Sequence, residues 1–303
     1  MQILVIRNDF IKAVFLDYGA ILHELWVTSE SGQTINIIKG LANPEDYRED
    51  EWCRGALIGR FAGRLSESYS IDGTIFHLHH TDGILLHSGD KGWGKQFWKL
   101  EHHNQKELTL SHICQARNSG FPGTVKGQIT YKLNGKKLHL EYKATTNSST
   151  HINLTNHAYF NLNPTGKIDS HELQINASKY LELAENLVPT GTVIATNQTQ
   201  MDFRQTRAIG NQRLDDYFIL DKQIKTAASI YSSETGIGMK TITDQPGVVV
   251  FTPPHFEAIC FETQKFSNSP NLPHFPTTRI DPGETYSQIT HFQFSGIQVK
   301  KTY

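Results

Sequence analysis

Asn153-Leu154-Thr155-Asn156-His157-Ala158-Tyr159-Phe160-Asn161-Leu162 alternates polar and apolar residues through its first half, the period of a β-strand with one buried face. In that register His157 shares a side with Asn153 and Thr155. Three asparagines, a threonine and a histidine in ten residues make a poor hydrophobic core, but they suit the polar floor of a cavity. Histidine exchanges a proton near neutral pH without large tuning. The other reading is a hydrogen-bonded core histidine in a polar strand, and the segment alone leaves both open.

Outward from this stretch the chain reads as many short strands. Ile3–Arg7, Lys12–Leu16, Ala20–Val27 and Thr34–Ile38 come first, punctuated by Gly19 and Ser31-Gly32. Asn43-Pro44-Glu45-Asp46 has the form of a helix cap with proline at the first helical position, one of few helical signals. Asp72-Gly73, inside Tyr69–Phe76, and Asn134-Gly135, between Gln128–Leu133 and Lys137–Tyr142, are two-residue hairpin signals. The glycine-rich loop Leu86–Gly94 lacks the lysine-serine ending of a phosphate-binding loop. Strands follow at Glu172–Ile175, Leu181–Leu183, Phe218–Leu220, Ala227–Ser232, Met239–Thr243, Val248–Thr252 and Thr285–Phe294. Proline at every third position makes Asn268–Pro276 an irregular loop. Short strands at regular spacing, with almost no amphipathic helix, indicate an all-β sandwich or barrel. With no repeat or low-complexity linker, residues 1–303 are expected to form one domain.

Composition narrows the function classes. Hydrophobic residues make up 38% and charged residues 19%, enough for a core. A net charge of −1 without basic clusters argues against nucleic acid or an anionic membrane as partner. Met1–Arg7 contains no apolar run suited to a signal peptide or membrane span. Cys53, Cys114 and Cys260, odd in number and unpatterned, suggest reduced thiols and a cytoplasmic protein. The sequons at Asn153 and Asn176 then carry no meaning.

Phe261-Glu262-Thr263-Gln264, read together with the histidine segment, resembles the aldose 1-epimerase (galactose mutarotase) family. That family's hallmarks read Asn-Leu-Thr-Asn-His-Ser-Tyr-Phe-Asn-Leu and Leu-Glu-Thr-Gln. Three further segments match: Gly59–Leu65, Leu86-His87-Ser88-Gly89 and Leu214-Asp215-Asp216-Tyr217-Phe218. The resemblance implies a large antiparallel β-sandwich, the mutarotase-type supersandwich, with few short helices. It implies His157 as catalytic acid, Glu262 as catalytic base, and Arg64, His87 and Asp215 as sugar-binding residues. It implies a monosaccharide substrate, no cofactor and no metal, in a monomer or homodimer. Three positions depart from the family: Gly63 replaces an asparagine, Asp216 a frequent histidine, and Val249 a glutamine. These departures put galactose preference in doubt and keep another aldose or a phosphosugar open.

Each of these residues also has a plainer reading. Arg64 suits a surface ion pair, His87 is one histidine among fifteen, and Asp215 suits a turn. A glutamate in the otherwise apolar Cys260–Thr263 run is costly unless paired or used. His77 and His79 share a strand face at metal-ligand spacing, but no nearby acidic residue or cysteine completes a set. Trp93 and Phe275 are candidates for packing on a sugar face. Two other functions compete: a glycoside hydrolase or lyase, of which a glycosidase would call for two carboxylates, and a non-catalytic carbohydrate-binding module.

Overall fold

The computed structural model describes residues 1–222 and 225–299. Two antiparallel sheets form the body. The larger has nine strands in the spatial order Lys99–His103, Glu107–Cys114, Val125–Asn134, Lys137–Thr146, Tyr286–Ser295, Gly238–Thr243, Thr226–Tyr231, Glu172–Ile175 and Arg207–Ala208. The smaller has six: Tyr159–Phe160, Ile259–Gln264, Gly247–Phe251, Asp215–Ile219, Lys179–Leu183 and Pro189–Ala195. A four-stranded sheet over Ile3–Asn36 packs beside them, where Phe15 meets Tyr131 with ring centroids 4.3 Å apart. The fold is the expected large antiparallel all-β sandwich with few short helices.

Period-two alternation explains how the sheets join. Val125–Asn134 and Lys137–Thr146 send Ile129, Tyr131, Leu138, Leu140 and Tyr142 inward, and the smaller sheet answers with Phe160, Phe218, Val248, Val250, Ile259 and Phe261. Phe160 of one sheet touches Phe292 of the other at 4.9 Å between centroids. Among the described residues the helical segments are 3-10 turns. The first, Pro44–Glu49, is capped as its sequence suggests, the Asn43 side chain accepting from the Glu45 amide. Both hairpin signals hold, with loops at Asp72-Gly73 and Gly135-Lys136. Among the strands without a readable signal are Lys99–His103, Glu107–Cys114 and Pro189–Ala195. The first is exposed throughout, so no alternation marks it. In the proline-rich loop, Ser269–Asn271 makes a single 3-10 turn.

The histidine segment corrects its own reading. It is not one strand with a buried face. Only Thr155–Asn156 and Tyr159–Phe160 pair as strands, with Leu57–Ile58 and Ile259–Cys260 respectively, and every residue from Asn153 to Leu162 is buried. Its asparagines satisfy backbone rather than line a floor. Asn153 donates to the carbonyls of Ala62 and Lys265 and accepts from the Lys265 amide. Asn156 donates to Gly55, and Asn161 to Gly166 and Glu257. An irregular segment threaded through the interior needs such partners, because its peptide groups find no ladder there.

Arg60 is the other anchor of this region. It is 1% exposed, and its guanidinium donates to the carbonyls of Pro122 (2.6 Å), Gly123 (3.0 Å), Cys114 (3.2 Å) and Gln115 (3.3 Å). Removing the guanidinium leaves several buried acceptors unmet. Arg60→Met is therefore expected to lower stability by roughly 3 kcal/mol. Denaturant unfolding would show an earlier midpoint at an unchanged slope, and an unshifted midpoint would contradict the anchoring role.

Candidate active site

Register on the smaller sheet builds one wall of a cavity. Tyr217 pairs with Val249, and Val249 with Glu262, giving one cross-strand row. Asp215 pairs with Phe251, Phe251 with Cys260, and Cys260 with Tyr159, giving a second. Because Ile259, Phe261 and Thr263 point to the larger sheet, Cys260 and Glu262 point the other way. The same alternation on Gly247–Phe251 turns Val249 and Phe251 outward beside them.

The opposing wall comes from the segments that flank the histidine stretch. The Gly55 amide donates to the His157 carbonyl, and the His157 amide donates to Ala56. Arg64 pairs with Leu86, and His87 returns to Gly63 through its amide (3.1 Å) and its Nδ1, which accepts from the Gly63 amide (3.2 Å). The cavity holds about 170 Å³. All five sequence-predicted residues, Arg64, His87, His157, Asp215 and Glu262, line it. Exposed Leu86 and Leu187 stand among the lining residues.

Two candidates do not reach it. Trp93 is wholly buried in the main core, where Gly59 and Gly127 leave room for the indole; a Cβ at Gly59 would come within 2.7 Å of its ring. Phe275 packs on Phe266 at 4.7 Å between centroids. The aromatic lining is instead Trp52, Tyr159, Tyr217 and Phe251. Of these, Phe251 was findable from strand alternation with Val249. Trp52 belongs to no strand and carried no signal.

Electrostatics centre on Glu262 and His157, whose Oε1 and Nε2 lie 3.4 Å apart with both side chains almost fully buried. Burial foremost, then the nearby Asp215 charge, pushes the Glu262 carboxyl up to about 8, with Arg64 opposing. Burial pushes His157 down to about 4. At neutral pH these shifts keep the proton on the carboxyl and leave the imidazole neutral. Glu262 Oε2 has no hydrogen-bond partner among the described residues. On the far side of the ring, Nδ1 lies 3.5 Å from the Cys260 sulfur. Burial holds that thiol protonated, so it faces the ring as a neutral partner. Arg64 donates to Asp215 at 3.1 Å, both side chains partly exposed.

His87, His157 and Glu262 also have a metal-like donor set, their ligand atoms lying within 4.8 Å of one another. The hydrogen bonding opposes a cation. The Gly63 amide fills the lone pair of His87 Nδ1, so the neutral ring carries its hydrogen on Nε2, the nitrogen left to face the cavity. Burial, helped by His157 and Arg64, keeps His87 well below the usual histidine range, so that ring is neutral. His77, His79 and His80, the other cluster, are exposed and flank buried Leu78. Asp216 lies outside the cavity lining, its carboxylate accepting from the Asp215 amide.

The profile of the aldose 1-epimerase family matches residues 2–293. The chain belongs to the aldose 1-epimerase family. Galactose mutarotase of Homo sapiens is 30% identical over 318 aligned positions, covering 96% of this chain and 93% of that protein. Aldose 1-epimerase of Escherichia coli K12 is 28% identical, covering 97% and 95%. Among solved structures, an aldose epimerase homologue from C. elegans superposes with a TM-score of 0.94 at 25% identity, covering 98% and 99%. Galactose 1-epimerase from Lactobacillus acidophilus gives 0.84 at 26%, covering 95% and 92%. The family is an isomerase family of sugar-processing enzymes. Among the described residues no helix is long and apolar enough to cross a membrane.

Linkage from Glu262 gives a stability test. Its carboxyl moves from an ordinary 4.5 to about 8 in the folded protein. The folded state thus holds a proton that the unfolded chain has released, and stability falls as pH rises from 4.5 towards 8. Glu262→Gln removes that loss. Its melting temperature should match wild type near pH 4.5 and exceed it increasingly up to pH 8, as thermal scans across that range would show. A constant difference would mean that Glu262 is not buried as a neutral acid.

Proposed function

We propose that the chain interconverts the α and β anomers of a free aldose, with Glu262 and His157 as the acid–base pair. The observation that carries this reading is the 3.4 Å approach of a buried carboxyl and a buried imidazole in a cavity otherwise supplied with hydroxyl-binding groups. Anomer exchange needs one proton removed from the C1 hydroxyl and one delivered to the ring oxygen. Glu262 takes the first as carboxylate. His157 Nε2 delivers the second. The C1–O5 bond opens to an aldehyde, the C1–C2 bond turns, and the reverse transfers close the ring on the other face. Every proton finds its donor and acceptor in these two side chains, so the reaction needs neither metal nor nucleotide.

The titration state fits this chemistry through its proton count. Between about 4 and about 8 the pair holds one exchangeable proton. Burial places it on the carboxyl, and the reactive form has it on His157, with the same total. A sugar hydroxyl donating to the Glu262 oxygens favours that form by stabilising the carboxylate. Arg64, Asp215 and the His87 Nε2–H are the groups we assign to the sugar hydroxyls.

The lining also supports an unphosphorylated substrate. Arg64 is the one lysine or arginine among the described lining residues, and Asp215 already neutralises it. A phosphate dianion would find no free cation there, and the Glu51 and Asp215 carboxylates would repel it. The identity of the aldose is shaped by Val249, Leu183, Leu187 and Pro189, an apolar part of the lining that offers no side-chain hydrogen bond to a hydroxyl.

Polarimetry of freshly dissolved α-glucose and α-galactose tests the reading. Wild type should accelerate the approach to equilibrium, and Glu262→Gln should lose at least about a hundredfold in kcat while still binding sugar. Near-normal turnover by that variant would remove Glu262 as the base. The rate should also be bell-shaped in pH, because the singly protonated pair gains a proton below about 4 and loses its last above about 8. A rate that climbs steadily through pH 8 would contradict the shared proton.

A further inference from the structure

Gly63 and Ser267 lie side by side in the cavity lining. Gly63 has φ +82°, and a Cβ there would overlap the Ser267 hydroxyl and come within 2.9 Å of the Ser267 Cβ. The serine side chain thus occupies the space into which a side chain at position 63 would project. Both polar groups of the Gly63 backbone are already committed to His87: the amide to Nδ1 and the carbonyl to the His87 amide. At this part of the wall Ser267 is the polar group left to meet a ligand.

Its own bonding is half complete. Ser267 is 5% exposed, and its Oγ accepts from Gln264 Nε2 at 3.0 Å. Among the described residues, the hydroxyl proton is donated to none. The Gln264 amide occupies one lone pair and leaves the hydroxyl hydrogen, at the cavity lining, uncommitted and able to be donated to a ligand.

We propose that Ser267 is a specificity-determining contact, its hydroxyl donating to one hydroxyl of the bound aldose. This rests on the aldose reading above and deepens it. Recognition then has two characters. Arg64, Asp215, His87 and Ser267 hold hydroxyls, while Val249, Leu183, Leu187 and Pro189 accept only apolar sugar faces.

The experiment compares wild type with Ser267→Ala on glucose, galactose and their monodeoxy analogues, following mutarotation by polarimetry. One neutral hydrogen bond lost should raise KM for the parent sugar about two- to tenfold, with kcat little changed. For the one analogue that lacks the contacted hydroxyl, wild type should already be weakened, and Ser267→Ala should add nothing. A merely structural serine would weaken every sugar by the same factor, or none, and either pattern overturns the contact. Wild-type acceleration with a flat Ser267 response sinks this inference alone. Absence of acceleration with every sugar removes the aldose reading and the contact with it.

Discussion

A carboxyl buried on a central strand, with both faces of that strand covered, is the constraint on which the rest of this molecule turns. Ile259–Gln264 has no exposed residue, so Glu262 cannot reach bulk water by turning its side chain. Left alone, such a group would only destabilise the protein. The surroundings make it useful instead. Asp215 withholds full compensation, Arg64 supplies part of it from the cavity side, and His157 stands where a proton can be handed over. The cross-strand rows put Asp215 and Glu262 on one face of the smaller sheet, because register decides which side chains share it. The segments carrying Arg64 and His157 close over them.

The polar wall around the pair is assembled by backbone rather than by side-chain networks. His87 is aimed by the Gly63 amide, His157 by paired amides and carbonyls of Gly55 and Ala56, and the asparagines of 153–161 hold the irregular segment that carries it. Apart from the His87 ring, these supports are peptide groups and asparagine amides, which do not titrate in the range where the pair does.

Much of this was legible in the chain, though not by one route. Alternation and turn dipeptides exposed the β-architecture, because Asp72-Gly73 and Asn134-Gly135 encode hairpins locally. The oddity of Glu262 in an apolar strand was visible too, since a charge there has no cheap structural purpose. What misled was the polar side of 153–157. A row of asparagines looks the same in sequence whether it faces a ligand or stitches a buried, irregular backbone, and only the tertiary partners tell them apart. Trp93 misled for a related reason: a tryptophan in a glycine-rich loop looks available until Gly59 and Gly127 close around it. Ser267 and Cys260 act through neighbours far away in sequence, Gly63 and His157, so no local pattern announces them.

The position of Tyr286–Ser295 has a consequence for how the protein is made. This strand lies in the middle of the nine-stranded sheet, between Lys137–Thr146 and Gly238–Thr243. Both neighbours precede it in the chain, and Lys137–Thr146 leaves the ribosome long before it does. Until it arrives, the two halves of the sheet present open edges of hydrophobic, hydrogen-bond-ready backbone to one another and to other chains. Folding thus waits on residues near position 295, and the newborn chain passes through an interval of exposure that the finished enzyme never shows.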